Sequence, residues 1–322
     1  GGGRGAGAGG GLLGGRCVGG SAAGGGPVGA GQNTRRGGSG AVCRRLRRGL
    51  GRTGWLLGKA VAPRAGLAGR GPQQVIFVAG VQRSGTNMLI EILERSWHTD
   101  VYGETDPRAF VNFEQKPLPE LTRVLRASPA RYGVVKALCE LQDLKRLLDT
   151  LAPARALWMV RHYDDVVNSA TELWRKTPYF LGEILHQPDG GEAGWRARGV
   201  SAATRAELAR HWRADLDNPT ACALFWWLRN VLFFEQGLDR DPRVRWVSYE
   251  ALVSDPHTLV PPLFDFIGVP FAPRVMAKIT ARSVRKRPPA VIDPAVRALC
   301  DDLLAQFTGT PVGPVEPARR PT

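Results

Sequence analysis

The chain has 322 residues, is 43% hydrophobic and carries a net charge of +15, an apolar share ordinary for a globular protein. Residues 1–71 hold 12 Lys and Arg and no Asp or Glu, which leaves only +3 for the remainder; the near-balanced body is therefore not read as a nucleic-acid binder. No apolar run reaches the roughly 18 residues that cross a bilayer, and residues 1–40 show no h-region of a secretory signal.

Cys17, Cys43, Cys139, Cys222 and Cys300 are odd in number, widely spaced and contain no CxxC. That usage favours reduced thiols in a cytoplasmic protein over a disulfide framework or a zinc site. Residues 1–40, Gly- and Arg-rich, hold too little apolar material to offset the entropy of ordering and are expected to be disordered. Residues 41–72 read as a basic helix and linker. Val42, Leu46, Leu50 and Leu57 fall near helical spacing among arginines over 41–61, which suits packing on a domain edge or weak contact with a membrane surface.

A single domain is expected over 73–310, followed by a tail at 311–322. Val75–Ala79 is a continuous apolar run, as in a parallel strand buried on both faces. Gly80–Gly85 reads as a loop and Thr86–Arg95 as a helix. Further strands are expected at 133–138, 156–160 and 244–247, with helices at 141–151, 164–174, 218–236 and 259–267. Residues 175–215, polar and rich in Gly, Trp and Arg, read as an insertion or lid. Strands alternating with helices predict an α/β fold: a P-loop-type, doubly wound parallel sheet flanked by helices.

The first strand, loop and helix read VIFVAG-VQRSGTN-MLIEIL. Loop amides and a helix N-terminus converge there into an anion site, at the strand ends where open parallel sheets bind ligands. Gly80 and Gly85 have Walker A spacing, but Thr86 stands in the Lys position and Asn87 in the Mg-binding Ser/Thr position. Chemistry on ATP or GTP relies on that Lys and on Mg²⁺. The loop should instead serve a donor whose transferred group is less charged, without a metal. A sulfuryl group, less charged than a phosphoryl group, meets that condition. The bland alternative is a structural glycine turn.

Gln82-Arg83-Ser84-Gly85-Thr86-Asn87 resembles the 5′-phosphosulfate loop of the PAPS-dependent sulfotransferases, and Arg83 looks closer to the tyrosylprotein and glycan branch than to the cytosolic aryl branch. Arg161, at a strand end, and Ser169, eight residues on in the next helix, resemble the family's 3′-phosphate motif, although His162-Tyr163 replaces its usual Asp-Pro. Arg161 could equally make a capping salt bridge to Asp164 or Asp165. Tyr249-Glu250-Ala251-Leu252 with Asp255-Pro256 resembles the family's nucleotide-proximal element. The basic run Ser283–Arg287, with Ser283 and Lys286, is similar to the loop that closes over donor phosphates, or else is a solvated charge run. The resemblance spans Val75 to Phe307 and implies PAPS as donor and a hydroxyl acceptor: a small molecule or glycan, phenolic or tyrosyl, or a lipid.

Displacement at sulfur needs a base and fixed positive charge. Glu104 is the candidate base, 21 residues after Arg83, where the tyrosylprotein-type enzymes place a catalytic Glu before a Thr. His98 and His162 are rivals. Arg83 and Lys136 are the candidate stabilising charges; Lys136 interrupts an apolar strand, where an unpaired ammonium would be costly. Trp174, Trp195, Trp212, Trp226 and Trp227 suit either an acceptor wall or the core. Two other classes compete: a P-loop kinase or NTPase, which lacks its Walker Lys here, and a non-catalytic binding protein with a basic arm.

Overall fold

In the computed structural model, the residues described are 74–187, 191–277 and 279–310. The tail at 1–40, the basic helix and linker at 41–72 and the tail at 311–322 lie outside them.

Five parallel strands form the sheet. They are β1 (Gln74–Gly80), β2 (Thr99–Tyr102), β5 (Tyr132–Ala137), β6 (Ala154–Val160) and β7 (Val244–Ser248), in the order β2-β5-β1-β6-β7. The remaining strands, β3 (Phe110–Val111) and β4 (Glu114–Gln115), make a small antiparallel hairpin. The order reverses direction at β1, so the loop after β1 opens at the topological switch point.

Helices cover both faces, which is why 75–79 of β1 and 156–160 of β6 are apolar on every residue rather than alternately. Phe77, Val135 and Trp158 pack on one side. There they meet α4 (Tyr163–Ala170), α7 (Asn218–Glu235) and α10 (Pro294–Thr308) through Val166, Trp226 and Phe307. Ile76, Val134 and Met159 pack on the other. Their partners are α1 (Thr86–Glu94), α8 (Tyr249–Ser254) and α9 (Pro256–Ile267) through Leu89, Leu252 and Phe264. Trp158 is fully buried, and its indole N–H donates to Asn230 at 3.1 Å, satisfying the only polar atom it brings inside.

The expected fold class holds, and the differences are local. The helix expected over 141–151 begins as a 3₁₀ turn at Leu141–Asp143, ahead of α3 (Leu144–Thr150). The helix expected over 259–267 starts at Pro256, where the Asp255 carboxylate caps Thr258 N–H at 3.2 Å. Residues 175–215 are not an open lid. They contain α5 (Thr177–His186) and α6 (Ala202–His211), which bury Leu181, Ile184 and Leu208 in the core beside α7. Few apolar residues do that work, so composition hid it. Strand β2, the hairpin, α2 (Leu118–Ala127) and α10 were not read from the sequence; β2 is a four-residue edge strand with a single partner.

Gly80 ends β1 at φ 136, and a Cβ there would lie 2.5 Å from the Met159 carbonyl oxygen of β6. Both backbones are fixed by pairing, so neither can yield. Gly80→Ala should cost about 2–3 kcal/mol, read as a lower urea midpoint with an unchanged slope. An unaltered midpoint would show that this residue does not set the spacing of β1 and β6.

Candidate active site

A cleft of about 470 Å³ lies at the carboxyl ends of β1, β5 and β6. Its walls include Gln82, Arg83, Gly85, Thr86 and Asn87 from the β1–α1 loop, Glu104 from the segment after β2, and Lys136 from β5. Arg161 and Ser169 follow β6, and Ser283 and Lys286 come from the segment before α10. Eleven of the sequence-predicted site residues thus meet at one place. Of the other two, Ser84 is buried, its hydroxyl turned back to the Val81 carbonyl. Tyr249 is buried behind the wall, its ring 4.5 Å from the Arg161 guanidinium and its hydroxyl bonded to that of Ser283.

The loop's shape follows from two left-handed residues, Arg83 at φ 72 and Gly85 at φ 94. At Gly85 a Cβ would lie 2.2 Å from the Tyr249 ring, so the loop can rest on that ring only without a side chain. No side chain caps the N-terminus of α1, leaving amide donors of its first turn for an anion.

Arg161 joins three remote pieces of chain. It is 8% exposed; Nη1 donates to the Arg83 carbonyl at 3.3 Å, Nη2 donates to the Ser283 carbonyl, and Asp165 pairs with it at 3.2 Å. The capping salt bridge foreseen for this arginine therefore exists alongside its place in the cleft. Nε is buried without a hydrogen-bond partner, an orphan that a ligand oxygen would satisfy. Arg83 Nε donates to Ser169 Oγ at 2.9 Å, joining the first loop to α4.

Lys136 is 3% exposed and its ammonium is shared between Glu104 at 2.9 Å and the Asn87 side-chain oxygen at 2.6 Å. Pairing resolves the cost of burying it. Neither His98 nor His162 lines the cleft; His162 caps α4, accepting from Asp164 N–H at 3.3 Å.

Three residues outside the expected site set also contribute. Asp165, one helical turn beyond Arg161, accepts from Arg285 N–H at 3.0 Å as well as pairing with Arg161. Asn168 donates to the Pro288 carbonyl at 2.9 Å, and Arg287 pairs with Glu172 at 2.5 Å. These contacts fasten the basic segment along α4. The i, i+4 spacing of Arg161 and Asp165 was a visible signal; the pairing across more than a hundred residues was not. Among the described residues no cluster of His, Cys, Asp or Glu is arranged to hold a metal ion, and no helix is long and apolar enough to cross a membrane.

The donor set suits a polyanionic nucleotide: uncapped helix amides, an orphaned buried guanidinium N–H, and cationic side chains around one cleft. Residues 73–287 match the family model described as a sulfotransferase domain. No curated protein is a match. Among solved structures, the chain is similar to a sulfotransferase domain from the curacin biosynthetic pathway, at 12% identity and TM-score 0.45 over 73% of this chain and 99% of that one. A mouse sulfotransferase complexed with PAP aligns at 14% and 0.39 over 73% and 84%. A sulfotransferase from Mycobacterium avium aligns at 12% and 0.43 over 74% and 78%.

Asp165→Asn should weaken its two charge-assisted contacts together, one to Arg161 and one to the Arg285 N–H of the basic segment. Trypsin cleavage after Arg285 and Lys286 should then accelerate about tenfold, more than the accompanying loss of global stability accounts for. Unchanged cleavage would mean that Asp165 does not hold the segment down.

Proposed function

As the chain belongs to the sulfotransferase domain family, a family of PAPS-dependent transferases, we propose that it moves a sulfuryl group from PAPS to a hydroxyl acceptor at this cleft. The observation that carries the proposal is the convergence of Arg83, Ser169, Arg161 and Ser283 through direct hydrogen bonds. They stem from three segments remote in sequence, and each was expected to contact the donor.

When bound, PAPS supplies a sulfuryl group already activated by a phosphate leaving group. The 5′ side would be held by Gln82–Asn87 and the first-turn amides of α1. The 3′-phosphate would be held by Arg161 and by Ser169, with Ser283 and Lys286 on the closing side and Tyr249 bracing Arg161 from behind. Lys136 and Arg83 place fixed positive charge where negative charge develops, the arrangement that contributes most in transfer enzymes. Glu104 takes the proton of the acceptor hydroxyl at a carboxylate oxygen.

This set needs no bound metal: the residues replacing the Walker Lys and Ser/Thr are Thr86 and Asn87, and Asn87 is engaged by Lys136. Arg83, Glu104 before Thr105, and Lys136 together support placement near the tyrosylprotein and glycan branch. Cys139, Cys222 and Cys300 are buried free thiols, which supports a reducing, cytoplasmic setting.

Thermal stability tests the donor. PAP without Mg²⁺, at ~100-fold its Kd, should raise Tm by about 5–10 °C, and ATP with Mg²⁺ should not. Arg161→Ala should abolish most of the PAP shift. Stabilisation by ATP with Mg²⁺ alone would replace the proposal with a nucleotide kinase or NTPase.

Glu104→Gln should keep the PAP shift and lower turnover of labelled PAPS by about 10²-fold or more. Wild-type turnover by that variant would remove Glu104 from the mechanism.

A further inference from the structure

A second cavity, also of about 470 Å³, adjoins the cleft. The two share Gln82, Glu104, Leu173 and Trp174. Glu104 thus stands at the junction, and the side-chain oxygen of Gln82 is buried there without a hydrogen-bond partner.

The second cavity has aromatic walls: Phe113, Trp174, Phe180, Trp195 and Phe225. It also holds three cations, Arg175, Lys176 and Arg196, against a single carboxylate, Glu104, which is already paired with Lys136. Arg175 and Lys176 are exposed at 175–176. Arg196 is half-buried, its guanidinium 4.4 Å from the Phe180 ring and 4.5 Å from the Trp195 ring. Among the described residues its hydrogen bond runs from Nη1 to the Ala193 carbonyl at 3.4 Å. Among the described residues no carboxylate pairs with it, and burial lowers its proton affinity below that of an ordinary arginine.

A second arginine lies behind. Arg229 is fully buried, its guanidinium 5.2 Å from the Trp195 ring, with Nε and Nη1 lacking partners. Glu140, which interacts with it electrostatically, offsets it only in part, because burial pushes that carboxyl up to about 7. Positive charge therefore accumulates at the aromatic cavity, whose wall includes Glu104. Rings in the walls suit an aromatic body, and uncompensated guanidinium suits an anion.

We infer that the acceptor occupies this second cavity and is an aromatic hydroxyl compound carrying an anionic group, which Arg196 holds while Glu104 faces the hydroxyl. The inference rests on the donor reading above for the direction of transfer, but its binding test does not.

Three phenols of similar size whose para substituents differ in charge serve as probes: 4-hydroxyphenylacetate (anionic), 4-ethylphenol (neutral) and tyramine (cationic). Calorimetric binding is measured on the protein with and without PAP. One charge-assisted contact corresponds to about tenfold in affinity. The anionic phenol should bind about tenfold more tightly than the neutral one, and the cationic one should bind least. Arg196→Gln should shrink that preference below about threefold with the PAP thermal shift retained, and Arg196→Lys should restore part of it. Equal binding of the three, a preference for tyramine, no detectable binding of any, or a preference that survives Arg196→Gln would each overturn the inference. Because the wild-type series decides on its own, a misfolded Arg196→Gln protein does not rescue it. Loss of the PAP shift in the wild type with the anionic preference intact would sink the donor reading and spare this one.

Discussion

The structure is organised by positive charge that must be held, partly desolvated, at the carboxyl edge of a parallel sheet. Arg161 is the clearest case. Leaving β6 at its buried end, its guanidinium can stay inside only because Asp165, two backbone carbonyls and the Tyr249 ring surround it. An arginine enclosed in this way is costly unless paired, and the pairing fixes the positions of the β1–α1 loop, α4 and the basic segment before α10 at once. One N–H of that guanidinium, at Nε, remains unmet.

The same logic governs Lys136. In a strand whose other residues are Tyr, Gly, Val and Ala, its ammonium finds Glu104 and Asn87 only because β2 ends and α1 begins beside β5. The ion pair ties the candidate base to the candidate stabilising cation, so neither can move without the other. Short loops following rigid strands make such placement precise, whereas charges carried on long surface loops would not be held to a few tenths of an ångström.

Beyond this edge the helices of 175–215 shape a second compartment. They are anchored through Leu181, Ile184 and Leu208 rather than hinged, and Trp174 and Trp195 line its cavity while Trp226 and Trp227 belong to the core. Trp212, the fifth of those tryptophans, packs against the core as well. Trp226 also braces the cleft wall, its indole N–H donating to the Arg161 carbonyl at 3.0 Å.

The sequence by itself determined the central fold, because strands buried on both faces must be apolar throughout, as 75–79 and 156–160 are, and the helices between them carry helical apolar spacing. It also marked the loop at 80–87, Arg161, Ser169 and Lys136, since a glycine-spaced loop and a lysine in an apolar strand are conspicuous locally. Tertiary structure alone decided the rest. Edge strand β2 has too few residues for a periodic signal, and the helices at 175–215 draw their stability from contacts with α7. The partnership of Asp165 with Arg285 and the uncompensated charge at Arg196 depend on distances between segments that no local pattern encodes. Whether a charge is neutralised is a property of its neighbours in space, and folding chose those neighbours.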